Sequence, residues 1–426
     1  MRDLEKNRAP SLHRVDSPVG LNDPLALPCG QVLRNRLAKA AMSEQLAGRQ
    51  SEPSPGLVEL YRRWGGGGAA LLLTGNVMVD RNAISEPGQV VVEDDRHLDR
   101  LSQWARAAKA QGAQVWMQIN HAGRQVPISV SRRAVAPSAV PLPGPLFARP
   151  RALQGEEILA LVQRFATTAK VAVQAGFDGV QIHAAHGYLI SQFLSPQANR
   201  RQDDYGGDLQ RRQRFLLEVI QAVRAAVGPH IPISVKLNAS DFSRSGLTPD
   251  EALHHVSALE RTSVDLLEIS GGNFHTAAML GMAAPETGAF ARGSEGYFLD
   301  FARRARLVYS KPLMVTGGFR TGAAVDAALA SGVIDLAGMA RPMVMDAGIA
   351  NRLLSGAAGD AAKAVLASGP RRAKARGLVG GLAEIAWYTV QMWRLSRGKP
   401  VDSTLGPWLA SLRYLIRQNA QRALRS

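Results

Sequence analysis

Two histidines three residues apart, His183 and His186, with Tyr188 two beyond the second, are the side chains in this chain best spaced for chemistry. The run Phe177-Asp178-Gly179-Val180-Gln181-Ile182 before them alternates apolar and polar residues. It reads as a short buried strand that delivers His183 at its C-terminal end. Two imidazoles and a phenol can then converge on one small volume. Such a set suits gripping an oxygen that gains negative charge while a nearby acid supplies a proton. The same residues could instead be satisfied polar groups capping a strand. Zinc is the weakest reading, because no third Cys, Asp or His ligand stands at usable spacing.

The elements that must carry these residues follow from periodicity. Strand-like apolar runs alternate with helical patterns, which predicts a parallel α/β architecture. Strands are expected near Leu37–Met42, Ala69–Asn76, Gln114–Gln118, Gly179–His183, Ile233–Leu237, Leu266–Ile269, Leu313–Thr316 and Leu336–Met339. Helices are expected between them, for example over Glu157–Ala175, Leu209–Val227, Pro249–Arg261 and Phe298–Tyr309. Eight such units with chemistry at strand C-termini predict a (β/α)8 TIM barrel with a C-terminal helical extension. Gly65-Gly66-Gly67-Gly68 precedes a strand, so it reads as a helix C-terminal turn and not a dinucleotide fingerprint. The connections Arg124–Ala152 and Gly271–Glu295 exceed ordinary loop lengths and are candidate lids.

Three regions are expected: an N-terminal arm over 1–25, the barrel over 26–355, and a basic, aromatic extension over 356–426. Within the last, Gly356–Lys374 reads as a connector, and Leu382–Leu395 and Trp408–Ile416 as short amphipathic helices. The whole chain carries a formal charge of +16, but residues 371–426 hold eleven Lys/Arg against two acids. The charge is therefore concentrated in the tail, and no nucleic-acid partner is expected of the barrel. The tail is expected to pack on the barrel or join subunits of a homo-oligomer, with peripheral contact to an anionic membrane the alternative. Cys29 is the single cysteine, which rules out an intrachain disulfide and a cysteine-held iron–sulfur cluster. Neither a secretory h-region at the start nor a run of ~18–20 apolar residues is present, so a cytoplasmic location is expected.

Several stretches together carry a family resemblance. They are Asn35-Arg36-Leu37-Ala38-Lys39-Ala40-Ala41-Met42-Ser43, Gln118-Ile119-Asn120-His121-Ala122-Gly123-Arg124, Ala136-Pro137-Ser138-Ala139, the His183–Gly207 stretch, Val315-Thr316-Gly317-Gly318-Phe319-Arg320 and Gly338-Met339-Ala340-Arg341-Pro342. In this order they resemble the Old Yellow Enzyme family of FMN-dependent ene-reductases and NAD(P)H:flavin oxidoreductases. The resemblance runs from about Ala26 to about Leu353.

That resemblance implies non-covalent FMN, reduced by NADH or NADPH, and a small unsaturated carbonyl compound as substrate. His183 and His186 would bind the carbonyl oxygen and Tyr188 would supply a proton to the α-carbon. Ala41, Met42 and Ser43 would contact the flavin ring, with Asn76 beside them and Gln118 at its pyrimidine edge. Ala41 and Ser43 depart from the Pro and the Thr or Cys frequent in relatives, and Asn76 from a small apolar residue. Lys236, a lone charge in an apolar strand, needs a negative partner, which the flavin around N1 and O2 would provide. Gly317, Gly318, Ala340 and Arg341 would hold the phosphate, and Ser270, Gly271 and Gly272 would line the ribityl chain. Glu44 reads equally as a site neighbour or a surface charge. His254-His255 is expected to face solvent, and Arg200, Arg201, Asp204 and Tyr205 to serve loop structure. An oxidative amine dehydrogenase is disfavoured by the missing cluster cysteines. A flavin-free lyase or aldolase using Lys236 as a Schiff base and a non-catalytic binding barrel are the remaining alternatives.

Overall fold

The structure is a computed structural model that describes residues 19–243, 245–271, 298–319, 321–356 and 378–423. Most of the expected arm, of the second candidate lid with Gly272, and of the connector lies outside these residues, as does Arg320. Eight parallel strands form a closed barrel: β1 Leu37–Lys39, β2 Leu71–Leu73, β3 Gln114–Asn120, β4 Gly179–Ala184, β5 Ile233–Asn238, β6 Leu266–Ser270, β7 Leu313–Thr316 and β8 Leu336–Met339. Each pairs with the next, and β8 pairs with β1. This is the predicted TIM barrel.

Helices follow the strands: α1 Pro55–Gly65, α2 Leu98–Lys109, α3 Gly155–Gln174, α4 Leu209–Val227, α5 Pro249–Glu260, α6 Leu299–Arg306, α7 Gly322–Ala330 and α8 Ile349–Leu354. Their starts are written in the sequence. Ser54 accepts from the Leu57 amide ahead of α1, Asp208 from the Arg211 amide ahead of α4, and Thr248 forms a reciprocal box with Glu251 at α5. Such caps satisfy backbone donors that a helix start leaves free.

Side chains two apart on a strand share a face, and this sorts the barrel interior into layers. Trp116, Leu266, Met314 and Leu336 are buried at the lower level, together with Leu25, Leu27 and Leu33 of the hairpin Leu25–Ala26/Val32–Leu33. Two residues on, the same strands present Gln118, Glu268, Thr316 and Gly338. The N-terminal end is thus an apolar plug and the C-terminal end a polar bowl.

The second predicted strand, Ala69–Asn76, proves to be two pieces, Leu71–Leu73 and Val77–Met78, the latter pairing with the end of β3. The break falls at Gly75, where a Cβ would lie 2.1 Å from the Met42 carbonyl oxygen. β1 likewise ends at Lys39 and not Met42, so Ala41–Ser43 belong to a loop at the bowl's rim.

The tail forms α9 Leu378–Leu395 and α10 Pro407–Ala423, both longer than expected. They pack on each other, and α9 also packs on α1 and on the short helix Arg341–Met345. Trp387, Trp393 and Leu405 join the main core. Trp408, Leu409, Leu412, Leu415 and Ile416 on α10 are exposed. Among the described residues no helix is long and apolar enough to cross a membrane.

One expectation fails on burial, and one open reading is decided by it. His255 is buried and bonded to Gln213 at 3.1 Å, because its turn of α5 faces α4 and not water. Burial, then Arg212 and His254, hold its pKa down to about 3. Glu44 is buried too, accepting from the Gly75 amide at 2.9 Å and from the Tyr61 hydroxyl.

Candidate active site

The chain turns sharply after β4. His186 and Gly187 both take left-handed backbone, with φ of 60° and 74°; such geometry in a non-glycine residue gathers at functional sites. The turn folds three rings together: His183 and His186 have centroids 5.1 Å apart, His183 and Tyr188 4.9 Å. The expected convergence is therefore present.

Each ring is held in a defined chemical state. The Ala185 amide donates to His183 Nδ1 at 3.2 Å, so the neutral ring carries its proton on Nε2. His186 Nε2 lies 2.9 Å from Ser270 Oγ, and its amide donates to Asn238 at 3.1 Å. Burial, with the nearby Lys236 charge, keeps both imidazoles well below their ordinary pKa and hence neutral. Asn76 Nδ2 donates to the Tyr188 phenol oxygen at 3.2 Å. Burial and then Glu86 push the phenol's pKa up, so Tyr188 keeps its proton.

A polar chain crosses the bowl beneath these rings. Gln118 donates to Gln181 at 2.7 Å, and Gln181 donates to Ser234 at 3.0 Å and to Glu268 at 2.8 Å. Lys236 forms an ion pair with Glu268 at 2.8 Å, which the strand register places directly opposite it. The negative partner Lys236 requires is therefore present in the protein itself. Glu268 and Gln181 were not singled out in the sequence, although a charge inside Leu266-Leu267-Glu268-Ile269 is the same signal that marks Lys236.

A second charged group lies outside the barrel wall. Lys39 donates to the Leu73 carbonyl at 2.7 Å and to the Tyr61 hydroxyl at 3.3 Å, with Trp64 beneath its ammonium. Burial, partly offset by Glu44, pulls its pKa down to about 8.

Gly317 and Gly318 follow β7 with φ of 120° and 90°, leaving backbone without side chains at the rim. Gly338 on β8 leaves no room for a Cβ, which would lie 2.0 Å from Thr316 Oγ1. Arg341 begins the next short helix, half-exposed, 2.9 Å from Glu384 on α9 and over the Tyr388 ring. Ala41, Met42, Ser43 and Asn76 sit partly buried around the same rim. Asn76 Oδ1, both polar atoms of the Asn120 side chain and Thr316 Oγ1 are buried without a protein partner. Buried polar atoms left so are costly, and at one barrel mouth they point to a bound ligand with several donors and acceptors. A flavin has those groups, and its phosphate suits the Gly317–Gly318 backbone and Arg341. Among the described residues no group of three or more His, Cys, Asp or Glu could hold a metal ion.

Comparison with known proteins decides between these possibilities. Residues 21–359 match the model of the NADH:flavin oxidoreductase / NADH oxidase family. The chain belongs to that family. It is 37% identical over 351 residues to the NADH-dependent flavin oxidoreductase of Hypocrea jecorina, covering 76% of this chain and 86% of that protein. It is 34% identical over 318 residues to the NADH oxidase of Thermoanaerobacter brockii, covering 74% of this chain but 48% of that longer protein. Among solved structures, morphinone reductase superposes with a TM-score of 0.68 at 25% identity, covering 81% of this chain and 91% of that one. The Old Yellow Enzyme homologue of Zymomonas mobilis gives 0.69 at 25% identity, covering 85% and 98%. The chain is thus a flavin oxidoreductase of Old Yellow Enzyme type, with FMN as cofactor and a nicotinamide as hydride donor. This sets aside the flavin-free lyase and the non-catalytic barrel.

Proposed function

We propose that the enzyme reduces the activated C=C bond of a small α,β-unsaturated carbonyl compound. The observation that supports this most directly is the meeting of two neutral imidazoles with a protonated phenol at the end of β4. His183 Nε2–H and His186 bind the carbonyl oxygen and draw electron density from the double bond. Ala41–Ser43, Asn76, Gln118, Lys236, Ser270, Gly317, Gly318, Ala340 and Arg341 would hold FMN, which when bound would supply the hydride equivalent taken from NAD(P)H. Tyr188 donates its proton to the α-carbon; Asn76 donates to the phenol oxygen and so does not compete for that proton, and Ser85 Oγ lies 3.5 Å from the same oxygen. The neutral histidines act as hydrogen-bond donors without competing with Tyr188 as acids.

Separate half-reactions test this reading. Tyr188→Phe should leave reduction of the bound flavin by nicotinamide nearly intact and slow its reoxidation by an alkene by ~10²-fold or more, the usual scale for a lost general acid. Loss of flavin reduction with reoxidation untouched would refute the proton-donor role.

A further inference from the structure

One partly buried carboxyl at the rim is used by none of the steps above. Glu86 lies under the loop that follows β1, and its Oε2 accepts from Ser43 Oγ at 2.7 Å and from Gln45 Nε2. Gln45 is a hub. Its side chain also donates to the Tyr414 hydroxyl at 3.1 Å, its amide oxygen accepts from Gln418 Nε2, and its carbonyl accepts from Gln421 at 3.2 Å. All three partners lie on α10. Gln45 is buried and held at φ 55°, a left-handed conformation that a non-glycine residue keeps only when its surroundings impose it. Beside it, the Trp393 indole on α9 donates to the Glu44 carbonyl at 3.0 Å. The C-terminal helices therefore grip the loop that carries Ser43.

We propose that Glu86 is a positioning residue that, through the chain Gln418–Gln45–Glu86–Ser43, sets whether the Ser43 hydroxyl offers a proton or only lone pairs to the flavin. A hydroxyl has one proton to donate. While Glu86 is a carboxylate, that proton is committed to it and Ser43 faces the cofactor as an acceptor. When Glu86 is protonated, it donates to Ser43 Oγ, and the Ser43 proton is free for an acceptor atom of the flavin. The groups acting on Glu86 are Ser43 and Gln45, which favour its charge, and buried Glu44, which opposes it; Tyr188 and Tyr414 feel its field in turn. Burial, the largest influence, raises its pKa above the ordinary carboxylate value. The inference rests on Ser43 facing FMN, as proposed above.

The test is the midpoint potential of bound FMN as a function of pH. The amide in E86Q can donate to Ser43 at every pH, so the Ser43 hydrogen bond to the flavin becomes permanent and stabilises the reduced form. In alkaline buffer E86Q should favour flavin reduction by about tenfold over the native enzyme, about 30 mV for a two-electron couple. The gap should close as pH falls through the titration of Glu86. In an S43A background E86Q should shift nothing, an outcome that a merely structural Glu86 would not produce. S43A alone should match the native potential in alkali and lie below it in acid, which tests the same point if E86Q folds poorly. Q418A, by releasing Gln45, should move the closing of the gap to higher pH. Potentials unchanged by E86Q and S43A at every pH, with FMN normally bound, would overturn the proposal and leave the cofactor assignment standing. A Q418A curve identical to native would remove α10 from the chain. Failure of the native protein to bind FMN would overturn the placement on which it all rests.

Discussion

Replacing Glu268 by Gln separates two roles that the structure gives to one ion pair. The substitution keeps an acceptor for Gln181 but leaves the Lys236 ammonium, whose side chain is 4% exposed, without its counter-charge. Removing one partner of a buried pair costs about 3–5 kcal/mol. An unfolding entropy of roughly 2.1 cal/mol/K per residue gives about 0.9 kcal/mol/K for 426 residues. The FMN-free E268Q protein should therefore melt about 3–6 °C lower. FMN should reverse the sign. With Glu268 neutral, the ammonium is available to a bound flavin, and affinity should rise about tenfold, the worth of one hydrogen bond to a charged group. Thermal melts with and without FMN, and fluorescence titration of FMN, measure both effects. K236M/E268Q should regain most of the lost melting temperature without the gain in affinity. An E268Q protein that melts like the native one and binds FMN no more tightly would refute the reasoning.

His255 gives a pH signature. Folded, it stays neutral down to about pH 3, whereas unfolded it takes a proton below about 6.5, so folding loses stability as pH falls below 6.5. Between pH 6.5 and 5 this amounts to about 2 kcal/mol, and the stability gap between native and H255Q proteins should narrow by that much; a constant gap would count against it. Trp393→Ala removes a buried indole, its bond to the Glu44 carbonyl and its stack on Tyr414. It should cost about 3–5 kcal/mol and weaken FMN binding, whereas an unchanged melt and affinity would make α9 and α10 a mere appendage.

The barrel was legible because its signals are local and repeated. Each inward strand position and each cap is set by residues within one turn or one pleat, and Leu209–Val227 and Leu336–Met339 begin and end where periodicity puts them. The convergence of His183, His186 and Tyr188 was legible for the same reason, since one tight turn gathers them. The second strand was not. Its apolar run continues past Leu73, and only the close approach of Gly75 to Met42 breaks it, a contact between segments more than thirty residues apart in sequence.

What escaped the sequence follows one pattern: charges whose partners lie far along the chain. Lys236 looked lonely because Glu268 is thirty-two residues away, and only the register of β5 against β6 sets them side by side. Glu44 could be read equally as a site neighbour or a surface charge, because the groups that bury it, Tyr61 of α1 and Trp393 of α9, come from other segments of the chain. Glu86 gave no signal, since its donors come from the loop after β1 and the hub that orients them is held from residues 414–421. A basic, aromatic tail reads from composition as something for the surface. Three of its side chains converge on Gln45, so the inward half of the tail braces the loop after β1, while the row from Trp408 to Ile416, with Leu382 and Ile385 of α9, is turned to water. Composition averages over those two faces; a helix separates them every 3.6 residues.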